Sequence, residues 1–374
     1  MMKPQKKFLF SRLKLRWLLI GLAAALSLVI FSGNLLDVKA WGTGDWEPRK
    51  LLVKAVVVTM FEEGNDTGDR PGEFQFWVER EKLNKVYPLP AAYHDALLND
   101  QGLMGIVTGI GTAKSATSIM ALGMDPRFDL TKAYWLVAGI AGIDPNDGSL
   151  GSAAWANWVV DADLAHEIDA REMPSNWPYG YLPLFTKAPN STPTANIGEA
   201  YQLNSNLVKW AYQLTKNIKL DDSPDMAAYR ARYSSYPNAQ KPPFVLMGDT
   251  MSGGTFWHGK LLNQWANDWL KLWSNGQANF VTTAMEDTGT LQALTNLAKA
   301  GKVDLKRVMV LRTASNYSMQ GSNMTAAESL NHETGESSYS GYLPSLEAAY
   351  KVGGTVIHEI IGKWRKYEHT VVGS

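Results

Sequence analysis

The fold is decided by the stretch YWLVAGIAG at residues 134–142, an apolar run that closes on small residues. Runs of this kind are typical of strands that are buried on both faces of an α/β sheet. Glycine at the end of such a strand lets a ligand approach the backbone closely. The stretch therefore predicts a core strand whose carboxyl end borders a small-molecule site.

Four further segments end or follow the same type of apolar run. They are TGIG at 108–111, MGDT at 247–250, AMED at 284–287 and RTASN at 312–316. In an open α/β sheet, ligands bind outside the carboxyl ends of the strands. Five such ends in one chain favour a site that is assembled from distant parts of the sequence.

Strands and helices alternate along the chain. Apolar runs predict strands at residues 51–60, 105–108, 134–138, 155–161, 244–247, 280–283 and 308–311, and helical patterns predict helices at 92–99, 113–122, 199–217, from about 287, and at 347–363. This alternation predicts a largely parallel central sheet with helices on both faces. Proline and aromatic residues gather at 170–243, which we interpret as an insertion within one domain that spans residues 41–374.

The first 40 residues have the layout of a secretory signal peptide. Six basic residues and no acidic one precede an apolar run at 17–31, and Val38-Lys39-Ala40 provides a small-residue cleavage site. The apolar run holds about 15 residues, which is short for a bilayer span of roughly 20. We therefore predict export to the periplasm or the extracellular space, with membrane contact only through this segment. A membrane-anchored protein is the alternative if the signal is not cleaved.

Composition excludes several classes of function. Without residues 1–40 the chain carries 29 basic and 35 acidic residues, and such a mildly acidic domain is a poor binder of nucleic acid. The chain has no cysteine, which excludes thiol catalysis and cysteine-ligated zinc. His94, His166, His258 and His332 are widely spaced, so the sequence predicts no metal site and no cofactor.

Two of the strand ends carry groups that suit an anionic or hydroxylated ligand. Gly109 and Gly111 stand between a strand and a helix, where the helix N-terminus favours an anion, although glycines at such turns are usually structural. Glu286 ends a strand of apolar and threonine residues, and a carboxylate can accept two hydrogen bonds from a ribose diol. Asp287 fits the same role or, alternatively, compensation of the helix dipole.

Asn316 ends the last predicted core strand. Its amide can donate a hydrogen bond to one atom of a purine edge and accept one from another. An Asx turn is the alternative, purely structural role for this residue.

These segments together resemble the purine nucleoside permease family, within the nucleoside phosphorylase and nucleosidase superfamily, from about Leu51 to Trp364. The superfamily carries, in order, a Gly-x-Gly turn, a Gly-x-Ala-Gly strand end, a Gly-Asp pair, a Met-Glu pair and the motif Arg-x-x-Ser-Asp. The matching residues are Gly109-Ile110-Gly111, Gly139-Ile140-Ala141-Gly142, Gly248-Asp249, Met285-Glu286 and Arg312-Thr313-Ala314-Ser315, with Asn316 in the place of the final Asp. The resemblance implies a three-layer α/β sandwich with a mostly parallel, mixed central sheet.

The resemblance also implies roles for individual residues and a purine nucleoside as the ligand. Glu286 would bind the ribose hydroxyls, and Asn316 would contact the leaving purine. Glu63, in the acidic loop Phe61-Glu62-Glu63, would help to position water. The implied substrate-binding residues are Gly109, Gly111, Ala141, Gly142, Thr250, Trp257, Met285 and Ser315, together with Glu286.

Two departures from the superfamily pattern leave the reaction open. An amide at Asn316 does not titrate usefully, although it can donate a hydrogen bond to a departing purine anion. Phosphorylases of the hexameric type carry an arginine where this chain has Val137. Water and inorganic phosphate both remain open as the acceptor, and phosphate would then lie at Gly109–Gly111, Thr112 and Ser115.

Two functions compete on this sequence. One is an exported enzyme that cleaves the N-glycosidic bond of purine nucleosides during nucleoside uptake and salvage. The other is a nucleoside-binding component of a transport system that does not cleave its ligand. A single N-terminal apolar segment cannot line a path across a membrane, which argues against a stand-alone carrier. By analogy, the resemblance also implies a homo-oligomer.

Overall fold

The computed structural model of the protein describes residues 50–193, 195–334 and 341–372. The strands are β1 Leu51–Leu52, β2 Ala55–Thr59, β3 Lys85–Tyr87, β4 Ala96–Leu98, β5 Leu103–Val107, β6 Phe128–Asp129, β7 Tyr134–Ile143, β8 Ala153–Ala156, β9 Trp158–Asp161, β10 Ala165–Glu167, β11 Tyr181–Pro183, β12 Ala200–Gln202, β13 Val245–Met247, β14 Asp249–Ser252, β15 Phe280–Ala284 and β16 Val308–Tyr317. The helices are α1 Gln75–Glu81, α2 Thr112–Met124, α3 Ser205–Thr215, α4 Pro224–Arg230, α5 Lys260–Trp273, α6 Asp287–Lys299, α7 Ala326–Thr334, α8 Tyr342–Gly362 and α9 Trp364–Tyr367.

The predicted signal segment lies outside the described residues, so export remains a prediction.

The centre of the main sheet is parallel. Strand β2 pairs in parallel with β5 and with β7, and β7 pairs in parallel with β16. All five residues of β2 are buried, as expected for an apolar strand that is covered on both faces. Antiparallel pairs then extend the sheet through β4 and β3 at one end and β12 at the other. The predicted α/β fold with a mixed central sheet is confirmed.

Strands β7 and β16 pair with each other over nearly all of their ten residues. β7 also pairs with β2 and β15, and β16 also pairs with β8, so these two strands join the sheet's halves. β15 meets β7 in antiparallel fashion at Ile143, and β8 pairs antiparallel with β16. Near its carboxyl end β16 contains a β-bulge. Ala314 pairs with Ala141 and Asn316 with Gly142, so Ser315 is an extra residue in the ladder.

Glycines allow close packing of the helices. A Cβ atom at Gly123 of α2 would lie 2.1 Å from Cδ1 of Leu297 in α6, so these two helices approach each other more closely than alanine would permit. In α8, a Cβ at Gly353 would lie 2.9 Å from Leu136 of β7. Gly353 therefore lets α8 pack against the sheet, and the helix predicted at 347–363 begins earlier than predicted, at Tyr342.

One element prediction was wrong in type, and two had the wrong bounds. The helix predicted at 92–99 is a turn followed by β4, because Leu97 and Leu98 pair with β3 and β5 and that pairing overrides local preference. The strand predicted at 155–161 is interrupted at Asn157, whose backbone N–H donates to Asp249. The helix predicted at 199–217 starts at Ser205, because Asn204 caps it and the preceding residues form β12.

Within residues 50–193, 195–334 and 341–372, none of the helices has both the length and the apolar character needed to cross a lipid bilayer.

Candidate active site

A cavity lies at the carboxyl ends of β2, β7, β15 and β16. Its volume is about 150 Å³, and it is partly open to solvent. The cavity is lined by Met60, Phe61, Glu73, Ile110, Ile140, Ala141, Gly142, Phe256, Thr283, Met285, Glu286, Arg312, Ser315 and Asn316. The motifs that lie far apart in the sequence thus meet at one place.

A buried ionic cluster forms one wall of this cavity. Nη2 of Arg312 lies 3.2 Å from Oε2 of Glu286, and Nε of Arg312 donates to Oδ2 of Asp287 over 3.1 Å. Nη2 also contacts the second oxygen of Asp287. Both oxygens of Asp287 are bound to the guanidinium, and Asp287 does not line the cavity. Of these two neighbouring carboxylates, Glu286 is therefore the one that can reach a ligand.

Glu286 is held in place by its neighbours. The backbone N–H of Gly111 donates to Oε1 over 3.2 Å, and the N–H of Met285 donates to Oε2 over 3.3 Å. Burial raises the pKa of Glu286, while the charge of Arg312 opposes that rise. The glycine turn therefore supports a carboxylate of the protein itself, whereas the sequence suggested that it could support an anionic ligand.

Glu73 is a second carboxyl group in the cavity, and sequence reasoning missed it. Its Oε2 accepts the backbone N–H of Met60 over 2.8 Å, and its Oε1 accepts the N–H of Ile140 over 2.7 Å. Burial raises the pKa of Glu73 to about 8, against the attraction of Arg312, and the nearby charge of Glu286 adds to the rise. No local pattern distinguishes Glu73 from the other acids that follow the first strand.

The two acidic residues of the loop after β2 make their contacts outside the cavity, which Phe61 of the same loop lines. Glu62 accepts the backbone N–H groups of Phe74 and Gln75 over 2.9 and 2.6 Å, so it fixes the start of α1. Glu63 lies 3.2 Å from Arg70 and accepts the hydroxyl of Tyr342 over 3.0 Å. Glu63 does not line the cavity, and Glu73 is the acid of this segment that does.

Asn316 lines the cavity beside the β-bulge. Its Nδ2 donates to the carbonyl oxygen of Tyr317 over 3.0 Å and to Oε2 of Glu333 over 3.1 Å. Its Oδ1 accepts the hydroxyl of Ser315 over 2.9 Å. Glu333 comes from α7 and is almost completely buried, and the sequence offered no sign that it would contact Asn316.

Some of the remaining predicted residues line the cavity, and others lie outside it. Ala141, Gly142, Met285 and Ser315 line the cavity; Gly109 and Gly111 flank Ile110, which also lines it. Thr250 is buried and its hydroxyl contacts that of Thr282 over 2.7 Å, so it acts within the sheet. Trp257 lines a separate aromatic pocket with Trp265, while its neighbour Phe256 reaches the cavity.

The groups suggested for phosphate are engaged within the protein. Ser115 is fully buried, and its hydroxyl contacts Thr290 over 2.6 Å. The hydroxyl of Thr112 donates to the carbonyl oxygen of Met285 over 3.3 Å. Among the described residues that line the cavity, Arg312 supplies the positive charge, and two carboxylates compensate it.

Asp249 of the Gly-Asp motif has a structural role. Its carboxylate accepts the backbone N–H groups of Asn157, Trp158 and Asn279, which joins β8, β9 and β15. A Cβ at Gly248 would lie 2.3 Å from Val281, so this position requires glycine. The motif therefore shapes the sheet around the cavity without lining it.

Comparison with known proteins places the chain among named relatives. A sequence model of the family "Purine nucleoside permease (NUP)" matches residues 52–372. The chain is 32% identical over 295 residues to a Schizosaccharomyces pombe protein named "Probable purine nucleoside permease". This match covers 75% of this chain and 81% of the relative. It is also 32% identical over 318 residues to a purine nucleoside permease of Candida albicans (strain SC5314), covering 84% of this chain and 76% of that relative.

Solved structures share the fold at low sequence identity. A mutant nucleosidase of Helicobacter pylori with 5′-methylthioadenosine in its active site is 14% identical and has a TM-score of 0.50, covering 82% of this chain and 99% of that one. A 5′-methylthioadenosine/S-adenosylhomocysteine nucleosidase from Helicobacter pylori with butyl-thio-DADMe-Immucillin-A is 13% identical and has a TM-score of 0.50, covering 83% of this chain and 100% of that one. The predicted fold of the nucleoside phosphorylase and nucleosidase type is confirmed.

Proposed function

The chain belongs to the purine nucleoside permease family, and on that premise we propose that its cavity binds a purine nucleoside and cleaves the N-glycosidic bond. The observation that carries the proposal is the position of Glu286. This carboxylate is fixed at the cavity wall by two backbone N–H groups and by Arg312.

A nucleoside has a polar sugar and a flat, largely apolar base, and the cavity offers surfaces for both. Glu286 accepts a hydrogen bond from a ribose hydroxyl through Oε1, because that oxygen uses one lone pair for the N–H of Gly111 and keeps another. Met60, Phe61, Ile110 and Phe256 supply apolar surface for the base. Ile110 and Phe256 are about half exposed, so their burial by a ligand adds apolar contact.

Cleavage places positive charge on the ribose and negative charge on the departing base. Glu73 and Glu286 lie where carboxylates would stabilise a cationic sugar. A pKa near 8 suits Glu73 to proton transfer near neutral pH, because a base is most effective when its pKa lies close to the working pH. In its ionised form Glu73 accepts a proton from water as that water attacks C1′, the C1′–N9 bond breaks, and the purine leaves with the bonding electrons.

Water is the acceptor that the site favours. A phosphate ion needs positive charge or free N–H donors, and the charge of Arg312 is compensated by Glu286 and Asp287. The hydroxyls of Thr112 and Ser115 are already engaged. Hydrolysis to free base and ribose is therefore the proposed reaction, and phosphorolysis is the alternative.

One observation favours binding without cleavage. Asn316 carries an amide that cannot transfer a proton at neutral pH, and both of its N–H hydrogens have acceptors within the protein. A protein with this arrangement could hold a nucleoside and deliver it to a separate transporter. Under this alternative the nucleoside would be recovered intact after prolonged incubation.

We also propose that the protein is exported, with residues 1–40 acting as a signal segment. The basic start and the short apolar run support this. Fractionation of cells that express the full chain, followed by sequencing of the mature N-terminus, tests it. Recovery of the protein in the cytoplasm with an intact first segment would contradict export.

One experiment distinguishes the candidate functions. The purified protein is incubated with adenosine or inosine, with and without phosphate, and free base, ribose and ribose 1-phosphate are measured. Release of base and ribose without phosphate supports hydrolysis, and a requirement for phosphate supports phosphorolysis. Tight binding of intact nucleoside supports the transport alternative. If the protein neither binds nor cleaves a nucleoside, the proposal is overturned. Glu199→Gln provides a control, because Glu199 is buried but does not line the cavity.

A further inference from the structure

The side chain of Asn316 has a fixed orientation. A backbone carbonyl can only accept hydrogen bonds, so the amide atom 3.0 Å from the oxygen of Tyr317 must be the nitrogen. The second hydrogen on that nitrogen points to Glu333 over 3.1 Å. Oδ1 accepts from Ser315 and retains one further lone pair. This lone pair is the hydrogen-bonding position of the amide that remains for a ligand.

Glu333 lies behind Asn316 in an enclosed polar cluster. Its Oε1 accepts the hydroxyl of Tyr229 over 3.4 Å, and its Oε2 lies 3.2 Å from Nδ1 of His258. The His258 side chain is about 1% exposed. Neither ring nitrogen makes a hydrogen bond of good geometry to the described residues. Nδ1 therefore lies close to Glu333 without forming a hydrogen bond to it. Glu333 takes no part in the proposed reaction, so its buried position needs another explanation.

Burial disfavours the charged form of both Glu333 and His258. Burial raises the pKa of Glu333 to about 8, and burial lowers the pKa of His258 to about 4. In either protonation state a carboxyl oxygen of Glu333 can accept the N–H of Asn316. The hydrogen bond from Nδ2 of Asn316 to Glu333 therefore does not depend on the ionisation of Glu333.

We propose that Glu333 is a specificity-determining residue that occupies the donor side of Asn316 and so leaves only the acceptor Oδ1 for the purine. The inference rests on the proposed function, because it requires a purine beside Asn316. Glu333 does not touch the ligand in this arrangement. It acts as a positioning residue, because it holds the amide of Asn316 together with the carbonyl oxygen of Tyr317.

An acceptor-only wall discriminates between two classes of purine. The edge at positions 6 and 7 of adenosine presents an amino donor beside the N7 acceptor, whereas the same edge of inosine presents two acceptors. Oδ1 of Asn316 can accept from the 6-amino group and can only repel a 6-oxo group. The site should therefore prefer 6-aminopurine nucleosides. A hydrogen bond gained or lost at this edge corresponds to about a three- to tenfold change in relative affinity.

The test measures the dissociation constants of adenosine and inosine by calorimetry for the full chain and its variants. Wild-type protein should bind adenosine more tightly. Glu333→Met removes the acceptor at similar length, frees the N–H of Asn316, and should shift the affinity ratio toward inosine by about three- to tenfold. Glu333→Gln keeps an acceptor oxygen and should retain the wild-type preference. Glu199→Gln is the control for loss of a buried carboxyl.

Each outcome decides a different point. An unchanged ratio in Glu333→Met, or a wild-type preference for inosine, overturns the inference while leaving nucleoside binding in place. Failure of wild-type protein to bind either nucleoside overturns the proposed function itself. If Glu333→Met does not fold, Asn316→Ala serves instead, because removal of the amide should abolish the preference. A preference that survives Asn316→Ala would place the discrimination elsewhere.

Discussion

The backbone N–H of Gly111 donates to Oε1 of Glu286 over 3.2 Å, across a sequence separation of 175 residues. This bond joins the glycine turn after β5 to the strand end of β15. It fixes one carboxylate oxygen while the other faces Arg312. The glycine turn and the Met-Glu pair therefore form one unit, and this unit sets where a ligand hydroxyl can bind.

Glu286→Gln should weaken nucleoside binding. The variant loses a charged acceptor for the ribose hydroxyls, and hydrogen bonds to charged groups are worth about 1.5–3 kcal/mol. Calorimetric titration with adenosine checks the expectation, and Glu359→Gln serves as a surface control because Glu359 pairs with Lys363 on α8. An unchanged affinity would remove ribose recognition from Glu286.

Gly139→Ala should disrupt the ionic wall of the cavity. A Cβ atom there would lie 2.6 Å from Nη1 of Arg312 and 2.6 Å from Oε1 of Glu73, so both side chains must move. Overpacking of this kind costs about 1–3 kcal/mol of stability, and nucleoside affinity should fall with it. Gly362→Ala is the matched control, because no atom lies within 4 Å of its added Cβ. Equal melting temperatures and affinities for the two variants would contradict the described packing.

Arg312→Met should destabilise the fold strongly. The change leaves Glu286 and Asp287 buried without their cation, and breaking a buried pair in this way costs about 3–5 kcal/mol. Urea unfolding measures the loss. Lys363→Met removes a surface pair at the carboxyl end of α8 and should cost less than about 1 kcal/mol. Similar losses in the two variants would show that the buried cluster contributes little.

The free energy of unfolding should fall as pH rises from about 5 to 8. The pKa of Glu73 is about 8 in the folded protein against an ordinary value of 4.5 for a glutamate side chain, so the folded state binds the proton more tightly over that interval. Each such group lowers the free energy of unfolding by up to about 1.4 kcal/mol per pH unit between the two pKa values. Glu333 acts in the same direction.

Glu73→Gln cannot ionise and should reduce that slope. Denaturant unfolding at a series of pH values compares the variant with the wild-type protein. Glu199→Gln again provides the buried control. A slope that is the same with and without Glu73 would mean that this carboxyl is ionised in the folded protein at neutral pH.

The order of strand-end segments was sufficient to predict the fold and the sheet edge at which the cavity lies, because buried strands and small-residue turns leave clear local patterns. Positions within the site were harder to predict. Glu63 and Glu73 lie in the same segment after β2, and only the fold of the intervening loop brings Glu73 against Met60 and Ile140. The contact of Asn316 with Glu333 depends on the packing of α7, which no strand-end motif encodes.

The extra residue in β16 has a consequence for how this site can change over evolution. In a regular strand successive side chains point to opposite faces, so Ser315 and Asn316 would not share one wall. The bulge inserts Ser315 as an extra residue before Asn316, which pairs with Gly142, and both side chains line the cavity. Loss of a single residue there would separate them without altering either chemical group. Proteins with an equivalent site should therefore be sought by matching ladder register as well as the letters Arg-x-x-Ser-Asn.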